Sequence, residues 1–198
     1  EPPVVVSDMH PRYNSTMIAE DSGLPVIKVQ HHYAHVLSCM AENDCAGPVI
    51  GVSFDGTGYG TDGTIWGGEI LLSDLDGFTR VGSVMPFLQV GGDASSKEGW
   101  RIAVSLLGKI YGKENALLII ETLGLCEPKL AKLQFTMEER GINTVQSTSA
   151  GRLFDAVSAI LDIRKSSTFE GEASTSLQFA AEKWLDAQKK KIAGSEDF

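Results

Sequence analysis

Short apolar runs separated by polar turn clusters open the chain. The first, at residues 4–6, ends in Ser7-Asp8-Met9-His10-Pro11, as a buried strand does when it delivers polar side chains at its carboxyl end. A short helix is expected over residues 16–21, capped by Ser15 or Asn14 and stopped by Gly23 and Pro25. A second strand at 26–29 runs directly into His31-His32-Tyr33-Ala34-His35 and a helix ending near Asn43. Strand, helix, strand, helix implies parallel strands.

At Gly47-Pro48 the pattern changes. A strand at 49–54 is followed by a long glycine-rich loop and two strands at 68–72 and 78–84, which the turn Asp76-Gly77 joins as an antiparallel hairpin. From Ala94 the periodicity turns helical, predicting helices at 96–111, 115–123, 128–139, 150–162 and 172–191. No repeat at solenoid periods and no low-complexity linker interrupts this order. The expected fold class is α/β, a partial duplicated ribonuclease-H-like architecture in which each lobe begins with a three-strand meander. Residues 1–46 would be the C-terminal part of the first lobe and 47–198 the N-terminal part of the second. An ordinary mixed α/β domain explains the same elements.

Composition narrows the function. With 198 residues, 42% hydrophobic and 22% charged, the chain reads as soluble and globular. A formal charge of -9 and a pI near 4.9 argue against a nucleic-acid partner, which needs a clustered basic surface. The one basic run, Lys189 to Lys191, suits a solvated helix end. Cys39, Cys45 and Cys126 form no C-x-x-C pair, and their odd number fits a reducing, cytoplasmic setting. No apolar run approaches the roughly 18 residues of a membrane span, and no signal peptide opens the chain. The start at Glu1-Pro2-Pro3 reads as that of an excised piece.

Three of the four histidines fall within five residues at the end of a strand, where open α/β sheets place their chemistry. His31 and His35 are four apart on one helix face, a spacing that suits two ligands of one iron or zinc ion, and two capping or exposed histidines would show the same spacing. His32 points about a hundred degrees away and takes a packing or orienting role. Two imidazoles leave a metal short of ligands. Asp55 is the candidate carboxylate, at the end of a strand in Phe54-Asp55-Gly56-Thr57-Gly58-Tyr59-Gly60. A loop of that kind brings backbone N–H groups beside a cation, as a phosphate cradle does; a tight turn whose glycines only supply positive φ has the same composition. Asp62 reads as a turn residue, and Cys39 and Cys45 as packing cysteines.

These residues resemble the HypF family of hydrogenase maturation proteins. Asp8-x-His10-Pro11-x-Tyr13-x-Ser15-Thr16, Gln30-His31-His32-x-Ala34-His35 and the Asp55 segment occur there in this order. So do Asp62-Gly63-Thr64-Ile65-Trp66-Gly67-Gly68-Glu69, Gly91-Gly92-Asp93-Ala94, Ser149-Ala150-Gly151-Arg152-Leu153-Phe154-Asp155-Ala156 and Phe169-Glu170-Gly171-Glu172-Ala173. The resemblance implies a Kae1-like fold of the actin, Hsp70 and sugar-kinase type. It implies His31, His35 and Asp55 as ligands of one divalent iron or zinc, and Asp55, Gly56, Thr57, Gly58 and Gly60 against the phosphate and carbamoyl portion of carbamoyl adenylate. It places Asp155 and Gly171 at the nucleoside. Without the family, Asp155 is a carboxylate in an apolar helix needing a ribose hydroxyl or Arg152 as donor, or else a salt bridge on a solvated face. Glu172 reads as an acid at a helix start. Gly99-Trp100-Arg101 and Leu177-Gln178 depart from the family pattern, in which a proline stands at the first site and leucine-glutamate at the second.

The implied activity is transfer of carbamoyl from carbamoyl adenylate, itself made from ATP and carbamoyl phosphate, to the C-terminal cysteine of the partner HypE during cyanide-ligand synthesis for nickel-iron hydrogenase. The chain ends before the family's S-G-G-x-x-x-N segment and final metal-binding aspartate, and the acylphosphatase-like, zinc-finger and YrdC-like domains are missing from it, so alone it is expected to be inactive. Rival readings are an O-carbamoyltransferase, a threonylcarbamoyltransferase, and a silent metal-binding or partner-docking piece. The Asp55 segment differs from the serine-glycine-glycine loop of the threonylcarbamoyl branch. An actin-like ATPase would need a D-x-G-x-T loop at the front, which the chain does not have.

Overall fold

The computed structural model describes residues 3–193, the last four of them without their side chains. Two compact units divide the chain, Glu1–Pro86 with Val145–Gly151, and Phe87–Thr144 with Arg152–Phe198.

The first unit opens with β1 (Val5–Asp8), α1 (Asn14–Asp21), β2 (Val26–Val29) and α2 (His31–Glu42). β1 and β2 are parallel, and their register sets Asp8 beside Val29, two residues before α2. The buried Thr16 hydroxyl donates to the Asp8 carbonyl at 3.2 Å and fastens α1 to the end of β1. α1 starts earlier than expected: Tyr13 holds the N-cap position without a side-chain bond, so neither Ser15 nor Asn14 caps it. α2 is capped by Gln30, whose Oε1 accepts from the Tyr33 N–H at 2.9 Å while its Nε2 donates to the Tyr59 carbonyl at 3.1 Å. One buried amide thus fixes both where the helix starts and what it packs against.

β3 (Val49–Tyr59), β4 (Ile65–Ser73) and β5 (Phe78–Ser83) form the expected antiparallel meander. Asp74 Oδ1 accepts the Asp76 and Gly77 N–H groups at 2.9 and 3.0 Å and closes the second hairpin. α2 packs Val36 and Met40 against Trp66 and Leu71. The opposite face of β3 and β4 leaves Ile50, Val52, Phe54, Ile70 and Leu72 exposed, with Ile50 opposite Leu72 and Val52 opposite Ile70.

The long glycine loop is not there. β3 runs on through the glycines, pairing Gly58 with Trp66 and Tyr59 with Ile65, and the chain turns only at residues 60–64. Between Phe54 and Gly58 the ladder slips, four residues on β3 advancing against two on β4. Gly58 and Gly60 lie outside the positive-φ glycines, so neither is there to supply a left-handed backbone. Space explains them: a Cβ on Gly58 would lie 2.3 Å from His32 Cε1, and one on Gly60 2.3 Å from Trp66 Nε1.

Two short strands, β6 (Phe87–Val90) and β7 (Thr144–Ser147), escape the sequence reading because four residues carry too little alternation. β7 joins β4 in parallel through Ser147 and Ile65.

The second unit is mainly helical: α3 (Gly99–Tyr111), α4 (Lys113–Thr122), α5 (Pro128–Arg140), α6 (Ala150–Ile160), whose first two residues belong to the first unit, and α7 (Glu172–Ala193). α3 begins three residues later than expected, because a 3-10 turn, Gly92–Ser96, precedes it. Its core joins Ile102, Ala103 and Leu106 to Ile120, Phe135 and Ala159. Buried Gln134 is held by bonds from its Nε2 to the Arg101 carbonyl at 2.7 Å and Ser105 Oγ at 3.0 Å. Among the described residues, no helix is long and apolar enough to cross a membrane.

Candidate metal centre

The first turn of α2 and the slip in β3 meet in the first unit. His31 Nε2 lies 2.8 Å from Asp55 Oδ2 and 3.2 Å from His35 Nε2, and His35 Nε2 lies 3.7 Å from Asp55 Oδ2. One donor atom from each of the three residues falls within 4.8 Å of the others. Two imidazole nitrogens and a carboxylate oxygen gathered so closely fit the donor set of a zinc or iron site. Burial alone would raise the Asp55 pKa, but the Gly56 N–H bonded to Oδ1 at 2.6 Å and the His31 ring together bring it below the usual value. The carboxylate is therefore held ionised.

His32 takes the other side of the helix and is fully buried. The Gln30 amide donates to its Nδ1 at 3.1 Å, since the Oε1 of that amide is occupied by Tyr33. The proton then sits on Nε2, 4.0 Å from Asp55 Oδ2 and without a hydrogen-bond partner. Burial first, and His31 second, lower the His32 pKa to about 4, which keeps the ring neutral.

The expected phosphate-contacting residues are spread along the strand. Asp55, Gly56 and Thr57 occupy the slip, with the Gly56 N–H taken by Asp55 and the Thr57 hydroxyl donating to the Gly56 carbonyl at 2.6 Å. Gly58 packs on His32, and Gly60 closes the following turn through an N–H to the Thr64 carbonyl at 2.9 Å. Asp62 is a turn residue, its Oδ1 accepting from the Thr64 N–H and hydroxyl and from Trp66 Nε1.

Further residues support the site. Ser149 Oγ donates to the Gly56 carbonyl at 2.6 Å, and a Cβ on Gly151 would lie 2.9 Å from Gly56 Cα, so residues 149–151 press on the slip from behind. Glu69 is fully buried, accepting from the Gly67 and Gly68 N–H groups, the Thr148 hydroxyl, and Arg80 Nε at 2.6 Å. Arg80 in turn lies 4.3 Å over the Trp66 ring. Asp8 Oδ2 lies 2.8 Å from His31 Nδ1. In the sequence Asp8 stands at a strand end and heads a family motif, with no role at the metal assigned to it.

Asp155 and Gly171 belong to the second unit. Asp155 is buried rather than on a solvated face, and Arg152 Nη2 meets its Oδ2 at 3.1 Å. Burial pushes the Asp155 carboxyl up, against the pull of Arg152. Gly171 has φ +77° just before α7, and Glu172 accepts the Thr168 N–H at 2.6 Å. That bond and the one from the Thr168 hydroxyl hold the Glu172 carboxyl below its usual value. Cys39 and Cys45 are exposed, contrary to the packing role expected; both line a cavity of about 340 Å³ that reaches His35.

Known proteins share the sequence and the fold of this chain. Residues 51–196 match the family described as carbamoyltransferase, Kae1-like domain, second subdomain, and residues 1–42 match the HypF Kae1-like domain. The chain is 39% identical over 184 residues to the probable carbamoyltransferase HypF of Methanocaldococcus jannaschii, covering 91% of this chain and 24% of that protein. It is 38% identical over 175 residues to the carbamoyltransferase HypF of Rhizobium leguminosarum bv. viciae, covering 88% and 22%. A crystal structure of full-length HypF in a phosphate- and nucleotide-bound form superposes with a TM-score of 0.81 at 39% identity, over 89% of this chain and 23% of that one. The HypF of T. kodakarensis gives 0.76 at 32% identity, over 87% and 24%. The chain therefore spans about a quarter of the length of these relatives, and its α/β architecture is Kae1-like.

Proposed function

The chain belongs to the HypF family of carbamoyltransferases, and on that premise we propose that it carries the metal centre at which carbamoyl passes from carbamoyl adenylate to the C-terminal cysteine of HypE. In the whole protein that step would serve cyanide-ligand synthesis for nickel-iron hydrogenase, in the cytoplasm. The observation that carries the reading is the convergence of His31, His35 and Asp55.

These three residues would hold one divalent iron or zinc. When bound, such an ion supplies Lewis-acid polarisation of a carbamoyl or phosphate oxygen. The chain's own residues do the rest. Asp55, ionised by its Gly56 bond, offers a charged ligand without a proton to lose. Neutral His32 presents an N–H toward that carboxylate and adds no competing charge beside the site. Thr57, exposed in the slip, is the group on this strand best placed to meet an oxygen of the incoming adenylate. Asp155 and Gly171 are assigned to the nucleoside, as the family motifs that carry them imply. The acceptor thiol comes from HypE, so no nucleophile is needed from this chain.

The test is metal content. The purified chain is expected to hold about one equivalent of zinc or iron, and His31→Ala and His35→Ala each to lose it; unchanged metal in both variants would overturn the reading. Supplied with carbamoyl adenylate and a peptide of the HypE tail, the chain alone is expected to leave the peptide unmodified. Turnover without the remaining domains would refute that division of labour.

A further inference from the structure

A carboxylate that the metal reading does not use sits behind His31. Asp8 ends β1, and the parallel register with β2 carries it alongside Val29, so its side chain reaches the first residue of α2. Its two oxygens have separate partners. Oδ1 accepts the His10 backbone N–H at 2.8 Å, which fixes the carboxylate plane, and Oδ2 meets His31 Nδ1 at 2.8 Å. The Asp8 side chain is 17% exposed and that of His31 28%, so water competes poorly for the pair.

An imidazole can bind a metal through either nitrogen, and the bond made by the other nitrogen decides which. We propose that Asp8 is the positioning residue of the centre: it holds the proton of His31 on Nδ1 and leaves Nε2, the atom facing Asp55 and His35, as the only ligating nitrogen. The inference deepens the metal reading and rests on it. Asp8 is not a ligand: its Oδ2 is already committed to the far side of the His31 ring. Its action is to set the tautomer and the orientation of the ring, as groups behind metal-binding histidines do elsewhere.

Two variants separate this role from a merely structural one. Asp8→Ala removes the acceptor. Asp8→Asn keeps the volume and, with its oxygen still accepting from His10, turns an N–H toward Nδ1; that selects the opposite tautomer, with the proton on the ligating nitrogen. Zinc affinity of the full chain, measured by competition with a chromogenic chelator, is expected to fall about 10–100-fold in both variants, with Asp8→Asn at least as weak as Asp8→Ala and its metal-free melting temperature close to that of the parent. In the zinc-loaded parent, the His31 Nδ1–H proton should give a slowly exchanging imidazole resonance, and Asp8→Ala should lose it. Equal zinc affinity in parent and both variants would overturn the role of Asp8 while leaving the metal centre standing. A folded parent that binds neither zinc nor iron would overturn both.

Discussion

Gly58 tests how tightly β3 is built against the start of α2. A Cβ placed there would lie 2.3 Å from His32 Cε1, 3.0 Å from its Nδ1 and 3.1 Å from His31 Cβ. Carbon atoms settle at about 3.5 Å or more, so the ring would have to withdraw by roughly 1.2 Å. It has nowhere to go: His32 is fully buried and its Nδ1 is tied to Gln30, which also holds Tyr59. Gly58→Ala is therefore an overpacking substitution, expected to cost about 1–3 kcal/mol. For a chain of this length that is a fall of roughly 2–12 °C in melting temperature. Because the clash reaches His31 Cβ as well, the variant should also bind zinc more weakly than the parent. Urea unfolding followed by Trp fluorescence measures the first effect, with Gly47→Ala, whose Cβ meets nothing within 4 Å, as the reference. Adding His32→Ala removes the obstacle, so the double variant should be less destabilised than the sum of the singles by about 0.5–3 kcal/mol. A Gly58→Ala protein that melts with Gly47→Ala, or a double variant that is strictly additive, would refute the packing argument.

Other consequences are quickly tested. Arg80→Met leaves the buried Glu69 carboxylate without its cation, and because three other donors remain, the cost in urea unfolding should sit at the lower end of the range for broken buried pairs, about 3 kcal/mol. Gly112, with φ 77° and ψ 153° between α3 and α4, occupies a backbone region that other residues avoid, so Gly112→Ala should lose about 1–3 kcal/mol by the same assay. Asp155 is pushed up by burial, so the folded chain keeps its proton to higher pH than the unfolded chain does. The contribution is most favourable below the unfolded value and declines as pH rises toward the folded one. Asp155→Asn should accordingly gain on the parent in melting temperature as pH rises above about 4, the unfolded carboxylate value, and a constant difference between the two proteins would count against the sign.

The parts of this structure written in local chemistry were legible in the sequence. The His31–His35 spacing, the Asp76-Gly77 hairpin and the long helices each announce themselves within a few residues, and all appear within a few residues of their expected bounds. What failed was the inference from glycine to loop. Gly58 and Gly60 look like loop residues because composition does not distinguish a glycine that needs positive φ from one that needs an absent side chain. The clashing partners, His32 and Trp66, come from 26 residues upstream of Gly58 and 6 downstream of Gly60, and only the fold brings them close. Asp8 was missed for a similar reason, since its partner is 23 residues away and is delivered by strand register. The start of α1 was misplaced because Tyr13, a residue with no capping oxygen in reach, begins it.

The slip in β3 also decides which way its side chains face. Gly51 meets Val36 of α2 and Phe54 is exposed on the opposite face, yet Gly58, four residues beyond Phe54, packs on His32 of α2. In an unbroken strand residues four apart share a face, so the slip turns the strand over between them. That reversal lets one strand wall in the buried imidazole at one end while leaving an apolar face uncovered at the other.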